Sequence, residues 1–243
     1  MRDRLILLPG WGLGVSPLEP LASALRGLDE HLRVEIEPLP MLDSATLNDW
    51  LDDLDATLPD NVWLGGWSLG GMLASELAAR RGDRCCGLVT LASNPNFVCR
   101  DDWPGAMPVA TFDTFLSNFQ DAPNTLLKRF CRLCSQGAVD ARKLAGLLLA
   151  GAPTVPRNKL VAALELLGRL DTRAALQAFN GPQLHLFAGL DALVPETVAT
   201  QVLALLPDVE VGLIEQASHA FLLEAPHELA AAIQAFLHEL GDD

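Results

Sequence analysis

The chain has 243 residues, is half hydrophobic and carries a formal net charge of −14. That length suits one domain with enough apolar side chain for a full core, and the acidity excludes nucleic acid as a partner, because phosphate binding needs a basic surface. No run approaches the roughly 18–20 continuous apolar residues of a membrane span, and the apolar run at 5–8 behind Met1, Arg2, Asp3 and Arg4 is too short for a signal-peptide core. A soluble, cytoplasmic monomer is expected, with no membrane contact.

In chain order, the pattern predicts a strand at 4–8, a helix at 17–28, a strand at 32–36, a helix at 45–58, a strand at 62–65 and a helix at 69–81. A strand at 87–91 follows. After a gap come strands at 184–187 and 209–214, with helices at 195–206 and 226–240. Strand–helix alternation implies an α/β fold with a mostly parallel sheet flanked by helices. The alternation breaks at about 97–178. There Phe112, Phe115, Leu116 and Phe119 recur at helical spacing, as do Leu126, Leu127, Phe130 and Leu133. A helical cap inserted into a single 1–243 domain is predicted, on the side where strands end and ligands bind.

Charge is unevenly spread. Residues 106–170 hold eight basic residues (Lys128, Arg129, Arg132, Arg142, Lys143, Arg157, Lys159, Arg169) against four acids, a local +4 in a chain that is −18 elsewhere. This basic island reads either as a dock for an anionic partner or as solvated helix faces. The five cysteines (Cys85, Cys86, Cys99, Cys131, Cys134) show no disulfide framework. Cys131 and Cys134 form a lone CxxC with no histidine nearby, which reads as small buried hydrophobes, and no metal site is expected.

The strongest local signal is Gly66-Trp67-Ser68-Leu69-Gly70, a G-x-S-x-G between a predicted strand and a predicted helix. That context is the nucleophile elbow, which lifts a serine hydroxyl clear of the sheet on a tight turn. A serine needs a base to take its proton. Of His31, His185, His219, His227 and His238, only His219 stands in a loop just past the last strand. His185 sits inside an apolar strand and reads as a packed core histidine. The orienting acid follows the serine and precedes the histidine in this fold, and Asp191, in the turn after the strand at 184–187, occupies that place. As general base, His219 would be held in the right tautomer by Asp191. The oxyanion donors are expected from the backbone N–H groups of Trp11 and Leu69. Gly10, Gly12 and Gly14 do not make a dinucleotide fingerprint, since Val15 and Pro17 stand where further glycines are required. No cofactor is called for.

On these residues the chain resembles the pimeloyl-acyl-carrier-protein methyl ester esterases of biotin synthesis. The likeness rests on Gly10-Trp11-Gly12-Leu13 and on Gly66-Trp67-Ser68-Leu69-Gly70-Gly71. It rests above all on residues 91–97 and 100–105, which general α/β-hydrolases do not share. The resemblance implies hydrolysis of the terminal methyl ester of a pimeloyl chain carried by an acyl carrier protein. It implies that Phe130, Cys131, Arg132, Leu133 and Cys134 line the acyl channel, that Trp11 and Leu69 form a pocket suited to a methyl ester, and that Arg129 and Arg142, with Arg132 and Lys143 beside them adding charge, hold the acidic carrier. Two departures stand out. Pro9 replaces the family's histidine before Gly10, and Thr125 and Gly146 stand at cap positions that are basic in the family. A short-chain carboxylesterase of broad specificity, a carbon–carbon bond hydrolase using the same triad, and a non-enzymatic binding module are the competing readings.

Overall fold

The computed structural model describes residues 4–239. Met1, Arg2 and Asp3, and Leu240 at the end of the last predicted helix, lie outside the described residues. Six strands form one sheet: β1 (Arg4–Leu8), β2 (Arg33–Ile36), β3 (Val62–Trp67), β4 (Cys85–Leu91), β5 (Gln183–Ala188) and β6 (Glu210–Ile214). Their order is β2-β1-β3-β4-β5-β6 and every pairing is parallel. Parallel strands are covered on both faces and so read as continuous apolar runs. Residues Leu5, Ile6, Leu7 and Leu8 are fully buried, and so is the whole of β3 and β5, whereas the edge strands β2 and β6 are partly exposed.

The helices are α1 (Glu19–Leu28), α2 (Leu47–Thr57), α3 (Leu69–Arg81), α4 (Val109–Asp121), α5 (Pro123–Cys134), α6 (Ala141–Gly151), α7 (Arg157–Arg169), α8 (Arg173–Ala178), α9 (Thr197–Leu205), α10 (Phe221–Glu224) and α11 (Pro226–Glu239). One layer is made by α1 against α11, another by α2 and α8 against α3. Differences from the predicted elements lie at their ends. β3 runs on to Trp67 because Gly66 and Trp67 continue the ladder opposite Thr90 and Leu91. The helix predicted from 17 starts at Glu19, behind a 3-10 turn at Ser16–Leu18. Helix α10 has four residues, too few to show a period in sequence.

The segment between β4 and β5 is helical, as the periodicity predicts, but its helices divide. Helix α8 packs on α3 and so rejoins the layer against the sheet. Helices α4–α7 pack on one another, and Phe115, Phe119 and Phe130 from α4 and α5 meet the ring of Trp11, just past β1. The root of this insertion is a polar staple. Asn94 donates through Nδ2 to Gly105 O at 2.8 Å and accepts from Trp103 Nε1 at 2.8 Å. Thr172 N donates to Pro95 O at 2.9 Å. Arg173 bridges Asp102 and Asp171 and lies 5.5 Å from the Trp103 ring centre. The Arg173 guanidinium holds the Asp171 carboxyl down to about 2.

Strand order reverses between β1, which leads outward to β2, and β3, which starts the run to β6. In open α/β sheets the crevice beyond the carboxyl ends of strands at such a switch is where ligands bind. Ser68 directly follows β3 and Trp11 follows β1.

Candidate active site

Ser68 sits between β3 and α3 with φ 55° and ψ −120°, a conformation that L-residues rarely adopt. Two glycines make the turn possible. A Cβ on Gly66 would lie 2.2 Å from the carbonyl carbon of Gly70, and one on Gly70 would lie 2.3 Å from Leu8 O. Strand, turn and helix are thus pressed together and the serine has no room to relax. Its N–H donates to Leu91 O at 2.9 Å, and its carbonyl accepts from Gly71 N, Met72 N and the Ser93 hydroxyl.

Asp191 lies in the turn after β5. Its Oδ1 accepts the backbone N–H groups of Leu193 at 2.7 Å and Val194 at 2.9 Å, and its Oδ2 is 2.7 Å from His219 Nδ1. Both side chains are fully buried. With Nδ1–H donating to the carboxylate, the basic lone pair of His219 is on Nε2. Nε2 is buried and has no hydrogen-bond partner, so no bond to the Ser68 hydroxyl is formed in this structure. Such bonds commonly tighten only with substrate in place. The two loops are nevertheless tied: Trp67, next to Ser68, donates Nε1 to His219 O at 2.9 Å, with the rings 5.4 Å apart.

The loop at 9–12 runs beside Ser68, since a Cβ on Gly10 would lie 3.4 Å from Ser68 Cβ. Trp11 turns its ring into the α4–α5 aromatics and donates Nε1 to Leu160 O at 2.9 Å. This anchors the backbone whose N–H the sequence assigns to the oxyanion. Leu69 is the first residue of α3, where helical N–H groups lack an intrahelical acceptor.

Residues 130–134 do not act as one lining. Phe130 and Leu133, with Arg129, border an apolar cavity of about 310 Å³ between α4, α5 and α7. Arg132 points the other way, into a separate groove with Lys128 and Arg142. Cys131 and Cys134 are buried on the inner side of α5. Helical rotation is the reason: positions three or four apart share a face and adjacent ones do not. Burial pushes the Cys131 thiol up to about 11 and the Cys134 thiol above its ordinary range, so neither is a thiolate at neutral pH. Among the described residues no cluster of His, Cys, Asp or Glu suits a metal. Lys143 faces a third groove, with Asp140 and the residues after β6. The five basic residues of α5 and α6 therefore spread over three surfaces, and among the described residues none of them forms an ion pair. By contrast Arg4, Arg81, Arg84 and Arg173 are all paired.

His185 is buried in β5, shares a 2.6 Å hydrogen bond with Thr90 Oγ1, and is pushed down to about 4 by burial, so it stays neutral. It is remote in role from the loop histidine. The sequence reading missed Trp67 and Ser93 as supports of the site. Both act through backbone carbonyls of distant segments, for which no spacing signal exists.

A parallel sheet with this switch point, a serine forced onto a positive-φ turn and a buried His–Asp pair beyond β5 and β6 define a class of fold and site. The alpha/beta hydrolase family model matches residues 5–232, and the chain belongs to that family. It is 34% identical to the pimeloyl-acyl-carrier-protein methyl ester esterase of Serratia marcescens, over 96% of this chain and 93% of that one. At that identity and coverage it falls within the pimeloyl-acyl-carrier-protein methyl ester esterase family. It is 36% identical to the biotin biosynthesis bifunctional protein BioHC of Cellvibrio japonicus over 99% of this chain, but spans only 48% of that longer protein. Among solved structures, an esterase from Exiguobacterium antarcticum superposes with a TM-score of 0.84 at 16% identity, over 97% of this chain and 92% of that one, a likeness of fold.

Proposed function

We propose that this chain is a serine esterase that hydrolyses the methyl ester of pimeloyl-acyl-carrier protein, releasing methanol and the free carboxylate. The observation that carries the mechanism is the buried 2.7 Å His219–Asp191 pair, tied through Trp67 to the strained turn that bears Ser68. The substrate is inferred from the named relatives that match nearly end to end.

Ser68 Oγ attacks the ester carbonyl while its proton passes to His219 Nε2. Backbone N–H groups of Trp11 and Leu69 hold the oxyanion, where each such donor is worth roughly 10²–10³ in turnover. The carbonyl–methoxy bond then breaks and the His219 imidazolium gives its proton to the leaving methanol. Water attacks the acyl-serine, His219 takes a proton from it, and the proton returns to Ser68 as the acid leaves. Asp191 stabilises the imidazolium in both halves. The apolar cavity at Phe130 and Leu133 suits a seven-carbon chain, with Arg129 at its border. Free cations on an acidic protein suit an acidic carrier.

The test is hydrolysis of the pimeloyl-carrier methyl ester beside free dimethyl pimelate, with wild type and Ser68→Ala. Strong preference for the carrier ester and its loss in Ser68→Ala support the reading. Equal rates on the two esters would leave a general short-chain carboxylesterase, and full activity in Ser68→Ala would remove the serine mechanism.

A further inference from the structure

The loop bearing His219 is clamped by groups outside the triad. Ser218 donates both its N–H, at 2.9 Å, and its hydroxyl, at 2.5 Å, to Glu224 Oε2. Ala220 N donates to Cys134 O at 3.0 Å, which fixes the far side of the histidine to the end of α5. Ser218 is fully buried, so without Glu224 its two donors would lose their acceptor in a site that water does not reach. Glu224 itself forms no ion pair among the described residues. A half-buried carboxylate with no counter-charge is retained at a cost, and here its one visible occupation is the residue before His219.

The geometry points to Glu224 as a positioning residue for the reaction. It touches no reacting atom. By accepting from Ser218 it sets the peptide that enters His219, keeping Nδ1 on Asp191 and aiming Nε2 over the strand ends. The role rests on the reading of His219 as the general base. Sub-ångström placement is what this base requires, since a misplacement of about 1 Å costs on the order of 10²-fold in rate.

The experiment compares Glu224→Leu, Glu224→Gln and Ser218→Ala with His219→Ala on dimethyl pimelate, reading kcat and KM separately and thermal melting in parallel. Glu224→Leu is expected to lose about 100-fold in kcat with KM changed less than about twofold. Glu224→Gln keeps a carbonyl oxygen of the same shape and should regain at least about tenfold of that loss. Ser218→Ala, which retains the N–H bond alone, should fall between wild type and Glu224→Leu. If Glu224→Leu does not fold, the other two variants decide, and wild-type kcat in Ser218→Ala overturns the role. Loss of activity in His219→Ala beside an unchanged kcat in Glu224→Leu overturns the positioning role alone. Retained activity in His219→Ala overturns the base itself and this role with it.

Discussion

At the scale of single residues, the candidate site stores strain at the serine proposed as nucleophile. Ser68 is held at φ 55° by two glycines that cannot carry a Cβ. A residue in such a region costs of order 1–3 kcal/mol, and glycine escapes most of that cost. Ser68→Gly should therefore abolish ester hydrolysis while stabilising the fold by about 1 kcal/mol, raising Tm by roughly 2–4 °C. Ser68→Ala should abolish activity with no such gain, and a calorimetric comparison of the two separates strain from chemistry. Asp191→Asn keeps the shape but reverses the hydrogen-bond preference at His219 Nδ1, and kcat should drop by about 10⁴ with the fold intact. The elbow is legible in sequence because its glycine requirement is steric and local. The pairing of His219 with Asp191 is legible because both stand on loops just past the strand ends. Ser93 and Trp67 are not, because each meets a partner that only the folded chain brings near, and Glu224 is not, because its bond to Ser218, six residues back, follows no motif spacing.

At the scale of elements, the periodicity of α5 contains more than a list of lining residues can express. The sequence shows the helix, but the separation of Phe130 and Leu133 from Arg132 becomes clear only once the phase of the helix against α4 and α6 is known. The strands are the most legible elements, because a doubly covered sheet writes itself as unbroken apolar runs. Helix α3 carries a feature invisible in sequence. Glu76 is largely buried, faces Asp171, and its carboxyl is pushed up to about 7, first by desolvation and then by that neighbouring charge. In the unfolded chain it titrates near 4.5. Between these values the native state binds more protons than the unfolded one, so stability falls as pH rises from about 4.5 to 7 and then levels. Glu76→Gln removes this loss. Urea unfolding should find the variant more stable than wild type at pH 8, by about 1 kcal/mol after discounting for partial exposure, with the gap closed at pH 4.

At the scale of the whole molecule, the charge distribution selects among partners. The chain is strongly acidic, yet α5 and α6 present Lys128, Arg129, Arg132, Arg142 and Lys143 without ion pairs among the described residues. The α5 and α6 part of the basic island read from sequence thus stands outside ion pairs among the described residues and is distributed over three surfaces rather than gathered at one, whereas Arg169 pairs with Glu165 and Lys159 donates to Met41 O. Thr125 and Gly146, where basic residues belong in the resembled family, are exposed on the same two helices. Lys128 and Arg132, one helical turn apart and facing Arg142 across a groove, supply charge beside those gaps. An acidic carrier approaching a molecule of net −14 feels repulsion at long range and attraction only near this surface. Both fields are screened over about 10 Å at 0.1 M salt and about 3 Å at 1 M. Attraction at contact distance dominates binding, so kcat/KM for the carrier ester should fall at least about tenfold as salt is raised from 0.05 to 1 M, while hydrolysis of the uncharged dimethyl pimelate stays within about twofold. Lys128→Glu with Arg132→Glu should reproduce that loss at low salt, acting on KM for the carrier ester. Arg129→Glu with Arg142→Glu should do at least as much, because Arg129 borders the apolar cavity through which the chain would pass. A carrier ester hydrolysed at the same rate by wild type and both reversed variants, at every salt concentration, would show that the free cations of α5 and α6 are solvated helix faces and that recognition resides in the acyl chain alone.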